Sequence, residues 1–106
     1  MESKKTFGET VRELREEKGL PLREVAKALS IDTSMLGKVE KGSRKPTKNL
    51  ITAFANFFNV SQKELIINFL SDKIAYQMLE EDYADEVLQM AEQKVKYLKD
   101  KKKTNL

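Results

Sequence analysis

The sequence predicts an all-α protein: a five-helix bundle followed by a C-terminal helical extension. Three observations lead there. The 106 residues include only four glycines and two prolines, and none of the six lies after Pro46. The stretch beyond is rich in Lys, Glu, Leu and Ala, which favour helix, and lacks both residue types that interrupt one. No segment alternates with period two for long enough to read as a sheet.

Each helix has its own signals. Phe7, Val11 and Leu14 recur at spacings of four and three, one face of a first helix ending near Lys18-Gly19. Pro21 can open a second helix, with Leu22, Val25, Ala26 and Leu29 facing inward. The few residues between these helices force a sharp turn. A third helix follows almost at once, capped by Asp32 or Thr33, with Met35, Leu36 and Val39 inward and Gly42 closing it. Asn49 to Asn59 reads as a fourth helix burying Leu50, Ile51, Phe54, Phe57 and Phe58. "SQKE" at Ser61 to Glu64 is a capping box that starts a fifth, running through Leu65, Ile66, Phe69 and Leu70.

From Ser71 the composition shifts, so residues 1–70 are expected to form the bundle and 71–106 the extension. Residues 71–92 carry seven acids and one base, net −6; residues 93–106 carry six lysines and one acid, net +5. A short helix is expected near 72–80, a break at "EEDY", and a longer helix from about 83 to 101. Ala84, Leu88, Ala91, Val95 and Leu98 occupy strict a/d positions, and the pattern fails backward at Glu81.

Composition removes several functions. With no cysteine and no histidine, the chain has no disulfides, thiolate nucleophiles, imidazole bases or usual zinc ligands. Not being an enzyme, and using no metal or cofactor, is the expectation. A nuclease holding Mg²⁺ through Glu80, Glu81, Asp82 and Asp85 is a poor fit, because successive helix positions point in different directions. There is no apolar run of membrane-spanning length and no signal-peptide pattern, so an unexported, cytoplasmic protein of prokaryotic or phage type without membrane contact is expected.

Two helices joined by a tight turn, the second short, amphipathic and followed by a basic loop, is the plan of a helix-turn-helix DNA reader. Between Lys38 and Lys48 lie five cations (Lys38, Lys41, Arg44, Lys45, Lys48) against Glu40 alone, a local +4. Cations in that place suit phosphate contacts. A solvated surface loop is the plainer reading of the charge by itself.

The pattern decides between them. "RxxKGL" at Arg15 to Leu20, "VAKAL" at Val25 to Leu29, "VEKG" at Val39 to Gly42, Pro46, and "NVSxxEL" at Asn59 to Leu65 resemble the Xre-type helix-turn-helix family of lambdoid phage repressors and Cro proteins. The resemblance covers roughly residues 7–70 and implies a lambda-repressor-like DNA-binding domain. It places Asp32 to Lys41 as the recognition helix, with Thr33, Ser34, Gly37 and Lys38 as base-contacting positions. Arg23, Lys41, Arg44, Lys45 and Lys48 are then phosphate contacts. Arg15 and Glu40 match a family ion pair linking the first helix to the end of the third, which makes Glu40 structural. Three positions depart from the family pattern. Leu22 stands where many relatives carry a phosphate-gripping glutamine, Ser30 replaces a turn glycine, and Gly37 replaces a larger polar residue.

The resemblance implies a sequence-specific regulator, most simply a repressor, binding a pseudo-palindromic site on double-stranded DNA as a homodimer. Tyr83, Val87, Leu88, Ala91, Val95 and Leu98 are the expected dimerisation residues, the stripe being wide enough to pack on a partner as well as on its own domain. No small-molecule ligand is expected. A restriction-modification controller and a DNA-binding antitoxin are variants within the class. A protein-interaction scaffold, with the basic loop incidental, is the alternative from outside it.

Overall fold

The computed structural model describes residues 4–104. Six helices run in chain order: α1 (Phe7–Glu17), α2 (Leu22–Ala28), α3 (Thr33–Lys41), α4 (Lys48–Phe58), α5 (Gln62–Met78) and α6 (Ala84–Thr104). The described residues contain no strand. The fold is all-α, as the sequence indicates. The chain divides into two compact units, the first ending at Lys73 and the second starting at Ile74.

In the first unit, the apolar faces of α1 to α5 meet around Val11, Val25, Leu36, Ile51, Phe54 and Leu65, all essentially inaccessible to solvent. Phe7 sits edge-on to both Phe54 (6.0 Å) and Phe69 (5.7 Å), so one aromatic at the start of α1 joins α4 and α5. Leu14, Leu22, Leu29, Met35, Phe57 and Ile66 are partly buried around this core. Leu70 is 41% exposed rather than packed inside. It lies one residue after Phe69, about 100° further round the helix, which turns it outward.

The four helix ends that set the turns share one device. Gly19, Ser30, Gly42 and Asn59 all adopt a left-handed backbone. In each case the next residue's N–H reaches back to close the final turn: Leu20 to Arg15, Ile31 to Ala26, Ser43 to Lys38 and Val60 to Ala55. This Schellman geometry satisfies orphan carbonyls and turns the chain abruptly. Ser30 takes the conformation (φ 58°) that its family place implies, at some cost to a residue with a Cβ.

The helix starts are capped too. Thr6 and Glu9 form a reciprocal capping box on α1. Thr47 accepts the Leu50 N–H on α4, and Ser61 accepts the Glu64 N–H on α5. At α3 the cap residue is Asp32, without a side-chain bond, and Pro21 stands just before α2 rather than inside it.

One difference from the sequence reading concerns α5. It is expected to end near Leu70, with a separate helix over 72–80; instead one helix runs unbroken to Met78. No glycine or proline interrupts it, and the Ser71 hydroxyl donates to the Asn68 carbonyl within the helix, 2.8 Å away. The shift in composition at Ser71 therefore marks a change of exposure, not a break in the backbone.

The second unit begins in the last turn of α5. The expected break falls at 79–83, tightened by the Glu81 N–H donating to Met78 O (3.0 Å), before α6 begins. Acids in the first turn of α6 (Asp85, Glu86) and lysines in its last (Lys101, Lys102, Lys103) suit the helix dipole. None of its residues is buried.

Candidate nucleic-acid interface

α3 is set by what it buries. Leu36 and Val39 are sealed in the core and Met35 is half-buried, so helical spacing turns Thr33, Ser34, Lys38 and Lys41 outward. Thr33, Gly37 and Lys41 succeed one another at intervals of four, with Ser34 and Lys38 beside them, so all five share one face. α3 packs against both α1 and α2 through the opposite side.

A glycine at this half-buried position on the outer face has no internal reason. A Cβ added at Gly37 meets nothing within 4 Å. The bare backbone is therefore a feature of the outer surface, and the residue's cost in helix stability serves no packing need of the domain.

The basic loop is pinned to the end of α3. The Lys38 carbonyl accepts from the N–H of Ser43 (2.9 Å), the N–H of Arg44 (3.3 Å) and the Ser43 hydroxyl (3.3 Å). One acceptor thereby fixes where Arg44 and Lys45 leave the helix. Lys48, the first residue of α4, and Arg23, in the first turn of α2, are also exposed. Among the described residues no ion pair involves Arg23, Lys38, Lys41, Arg44, Lys45 or Lys48.

The one acid in the segment is removed from that surface. Arg15 clasps Glu40 with Nε to Oε2 at 2.8 Å and Nη2 to Oε1 at 3.0 Å. The two side chains are only 13% and 5% exposed. The remaining guanidinium nitrogen, Nη1, donates to the Leu20 carbonyl (2.8 Å), so Arg15 also ties down the α1–α2 turn. Hydrogen bonding to Glu40 raises the Arg15 pKa further above its ordinary value, against the opposing effect of burial. With Glu40 neutralised internally, the segment's outward charge is all positive.

Sequence reasoning misses three structural supports. Gly8 lies where α1 crosses the end of α3: a Cβ there would fall onto the Glu40 carbonyl and within 2.6 Å of the Val39 carbonyl. A glycine inside an amphipathic helix pattern is the available signal. The Thr6–Glu9 box had its own, the spacing T-x-x-E. Asp72, which accepts the Phe7 N–H, had none. Leu22 places an apolar side chain against the core, with no polar group to offer. Among the described residues no group of three or more Asp or Glu is placed to hold a metal ion, Glu80 to Asp85 included.

A short amphipathic helix held by a tight turn, with a pinned cationic loop at its end, defines a helix-turn-helix module. Residues 6–65 match the model of the helix-turn-helix domain family, and the chain belongs to that family. The uncharacterized HTH-type transcriptional regulator YazB of Bacillus subtilis is 39% identical over 59 residues, covering 56% of this chain and 86% of that protein. The HTH-type transcriptional regulator DdrOP3 of Deinococcus deserti is 30% identical over 69 residues, 63% of this chain. There the chain spans only about half (54%) of the relative's length. Among solved structures, the restriction-modification controller protein C.AhdI from Aeromonas hydrophila aligns with a TM-score of 0.52 and 36% identity, over 56% of this chain and 89% of that one. The clp gene regulator ClgR from Corynebacterium glutamicum aligns with a TM-score of 0.55 and 25% identity, over 86% of this chain and 95% of that one.

Proposed function

We propose that the chain is a sequence-specific DNA-binding transcriptional regulator, in which α3 enters the major groove of a pseudo-palindromic operator bound by a homodimer. The observation that carries this is the Arg15–Glu40 clasp. It withdraws the single carboxylate from a segment whose exposed cations form no ion pair among the described residues. Thr33 and Ser34 then reach base edges from the N-terminal end of α3, and Lys38 reaches a guanine one turn on. At Gly37 the backbone can approach the duplex closely. Arg23, Lys41, Arg44, Lys45 and Lys48 hold phosphates and set the register. Tyr83, Val87, Leu88, Ala91, Val95 and Leu98 supply the dimer contact. Bound this way the protein blocks transcription, acts in the cytoplasm and carries out no catalytic step.

The likeness to C.AhdI supports a more particular variant, a controller of a restriction-modification system. Both variants use the same surface. The test is duplex binding across a salt series. Five phosphate contacts per protomer give log Kobs against log salt a slope of about −4.5 for each protomer. Binding that is absent, or flat across the series, overturns the DNA reading and leaves a protein-interaction scaffold.

A further inference from the structure

The exposed large apolar side chains of the described residues all lie at or beyond Ile67, and half of them are on α6: Val87, Leu88, Met90, Val95, Tyr97 and Leu98. A 21-residue helix with no buried residue is marginal in water unless something covers its apolar face. Ala84, Leu88, Ala91, Val95 and Leu98 make that face a heptad seam of d-a-d-a-d type.

Charge identifies the cover. The N-terminal half of α6, Ala84 to Gln93, carries Asp85, Glu86 and Glu92, net −3. The C-terminal half, Lys94 to Thr104, carries six lysines and Asp100, net +5. A helix that is acidic at one end and basic at the other is complementary to itself when reversed.

We infer that α6 pairs antiparallel with α6 of a second copy, Leu88 opposite the partner's Leu98 and Ala91 opposite the partner's Val95. The inference rests on the homodimer reading above and adds its geometry. In this register, flanking Asp85 faces the partner's Lys99, and symmetry makes that contact twice. Parallel pairing instead sets Lys94 beside the partner's Lys99 twice and crowds both lysine-rich ends together. Near the antiparallel axis Glu92 meets its own counterpart and, on the opposite flank, Lys94 meets its own, one contact each; Lys96 of the same helix, 3.4 Å from Glu92, partly offsets the first.

The absence of native cysteine makes the test clean. Leu88→Cys and Leu98→Cys are prepared separately in the full chain, mixed and oxidised. A disulfide needs Cα atoms within about 7 Å, whereas ten residues of helix separate two sites by about 15 Å. Antiparallel pairing therefore gives the mixed disulfide, with little of either self-disulfide. Self-disulfides of each variant mean parallel pairing, which overturns the inference and leaves the homodimer intact. If no disulfide forms and the unmodified chain sediments as a monomer, both readings fall.

A second pair leaves the seam untouched. Asp85→Lys raises the dimer dissociation constant by roughly tenfold, and adding Lys99→Asp to the same chain restores it. If no disulfide forms but the unmodified chain sediments as a dimer, this restoration decides. A double variant no tighter than the single one overturns the register.

Discussion

The Asp72 carboxylate accepts the main-chain N–H of Phe7 at 2.8 Å, joining residues 65 apart in sequence. Phe7 is the first residue of α1, whose Thr6 side chain already serves the Glu9 N–H, so Asp72 satisfies a different orphan donor at the same helix end. It also carries a negative charge to the positive end of the helix dipole. The continuity of α5 past Leu70 makes this possible.

Removing that carboxylate tests the contact. Asp72→Ala is expected to cost about 1 kcal/mol of stability, and Asp72→Asn, which keeps an acceptor, distinctly less. Urea unfolding of the full chain, read as a shift in midpoint at constant slope, measures both. Equal, negligible losses would show that water serves the Phe7 N–H as well as Asp72 does.

The Arg15–Glu40 pair is a stronger case because it is buried. Glu40→Gln leaves the buried guanidinium with neutral acceptors only, an amide oxygen and the Leu20 carbonyl, and is expected to cost about 3 kcal/mol. Arg15→Lys is nearly as damaging, since one ammonium cannot replace the two bonds to Glu40 together with the one to Leu20. The raised Arg15 pKa gives stability that is complete below its unfolded value and lost only above it, at strongly alkaline pH. Arg15 therefore adds no slope to stability between pH 5 and 9. A double-mutant cycle measures the coupling.

The two interior glycines should respond in opposite directions. Gly8→Ala drives a methyl group onto backbone carbonyls at the end of α3, which cannot step aside like a side chain. A loss of about 1–3 kcal/mol is expected. Gly37→Ala meets open space and gains about 0.5–1 kcal/mol of helix stability. If the α3 backbone approaches the duplex at Gly37, the same variant binds operator DNA less well while melting higher. Thermal melts and binding titrations on both proteins separate packing from recognition.

That contrast also shows what the sequence could disclose. Helix positions and the core from Phe7 to Phe69 follow from apolar spacing, which is a local property. Gly42 and Asn59 stand where left-handed helix ends are expected, and the Ser30 turn follows from its family place. The α1–α3 crossing at Gly8 and the Asp72 cap are pairings between distant segments, which a single sequence does not record. The continuity of α5 was hidden for another reason. Its second half changes from buried to exposed, and a composition break resembles a chain break when burial is unknown.

Glu9 offers an acid-side test. Hydrogen bonds from the backbone and side chain of Thr6 hold its carboxyl below the ordinary value. The stability this supplies is present above the unfolded Glu pKa and lost as pH falls through the depressed folded one. Glu9→Gln keeps an acceptor at N3 but cannot titrate. Its stability should therefore change less than that of the unmodified chain on acidification, measured by melts at stepped pH. Identical acid limbs would remove Glu9 from the account.

Lys38 and Lys45 differ in kind although both are exposed lysines near the end of α3. Lys38 lies one helical turn beyond Ser34 on the outward face, from which, in the docking proposed above, its side chain reaches base edges. Lys45 lies in the loop fixed by the Lys38 carbonyl, which in the same proposed docking leaves it only the sugar-phosphate backbone to contact. Lys38→Ala is therefore expected to lose about 1–3 kcal/mol on the preferred operator, with relaxed preference at one base position. Lys45→Ala is expected to weaken binding on all sequences alike and to flatten the salt slope by about one. Binding measured on an operator panel at several salt concentrations distinguishes the two. If Lys38→Ala weakened every site equally and changed the slope, Lys38 would join the phosphate contacts, and base reading would rest on Thr33 and Ser34.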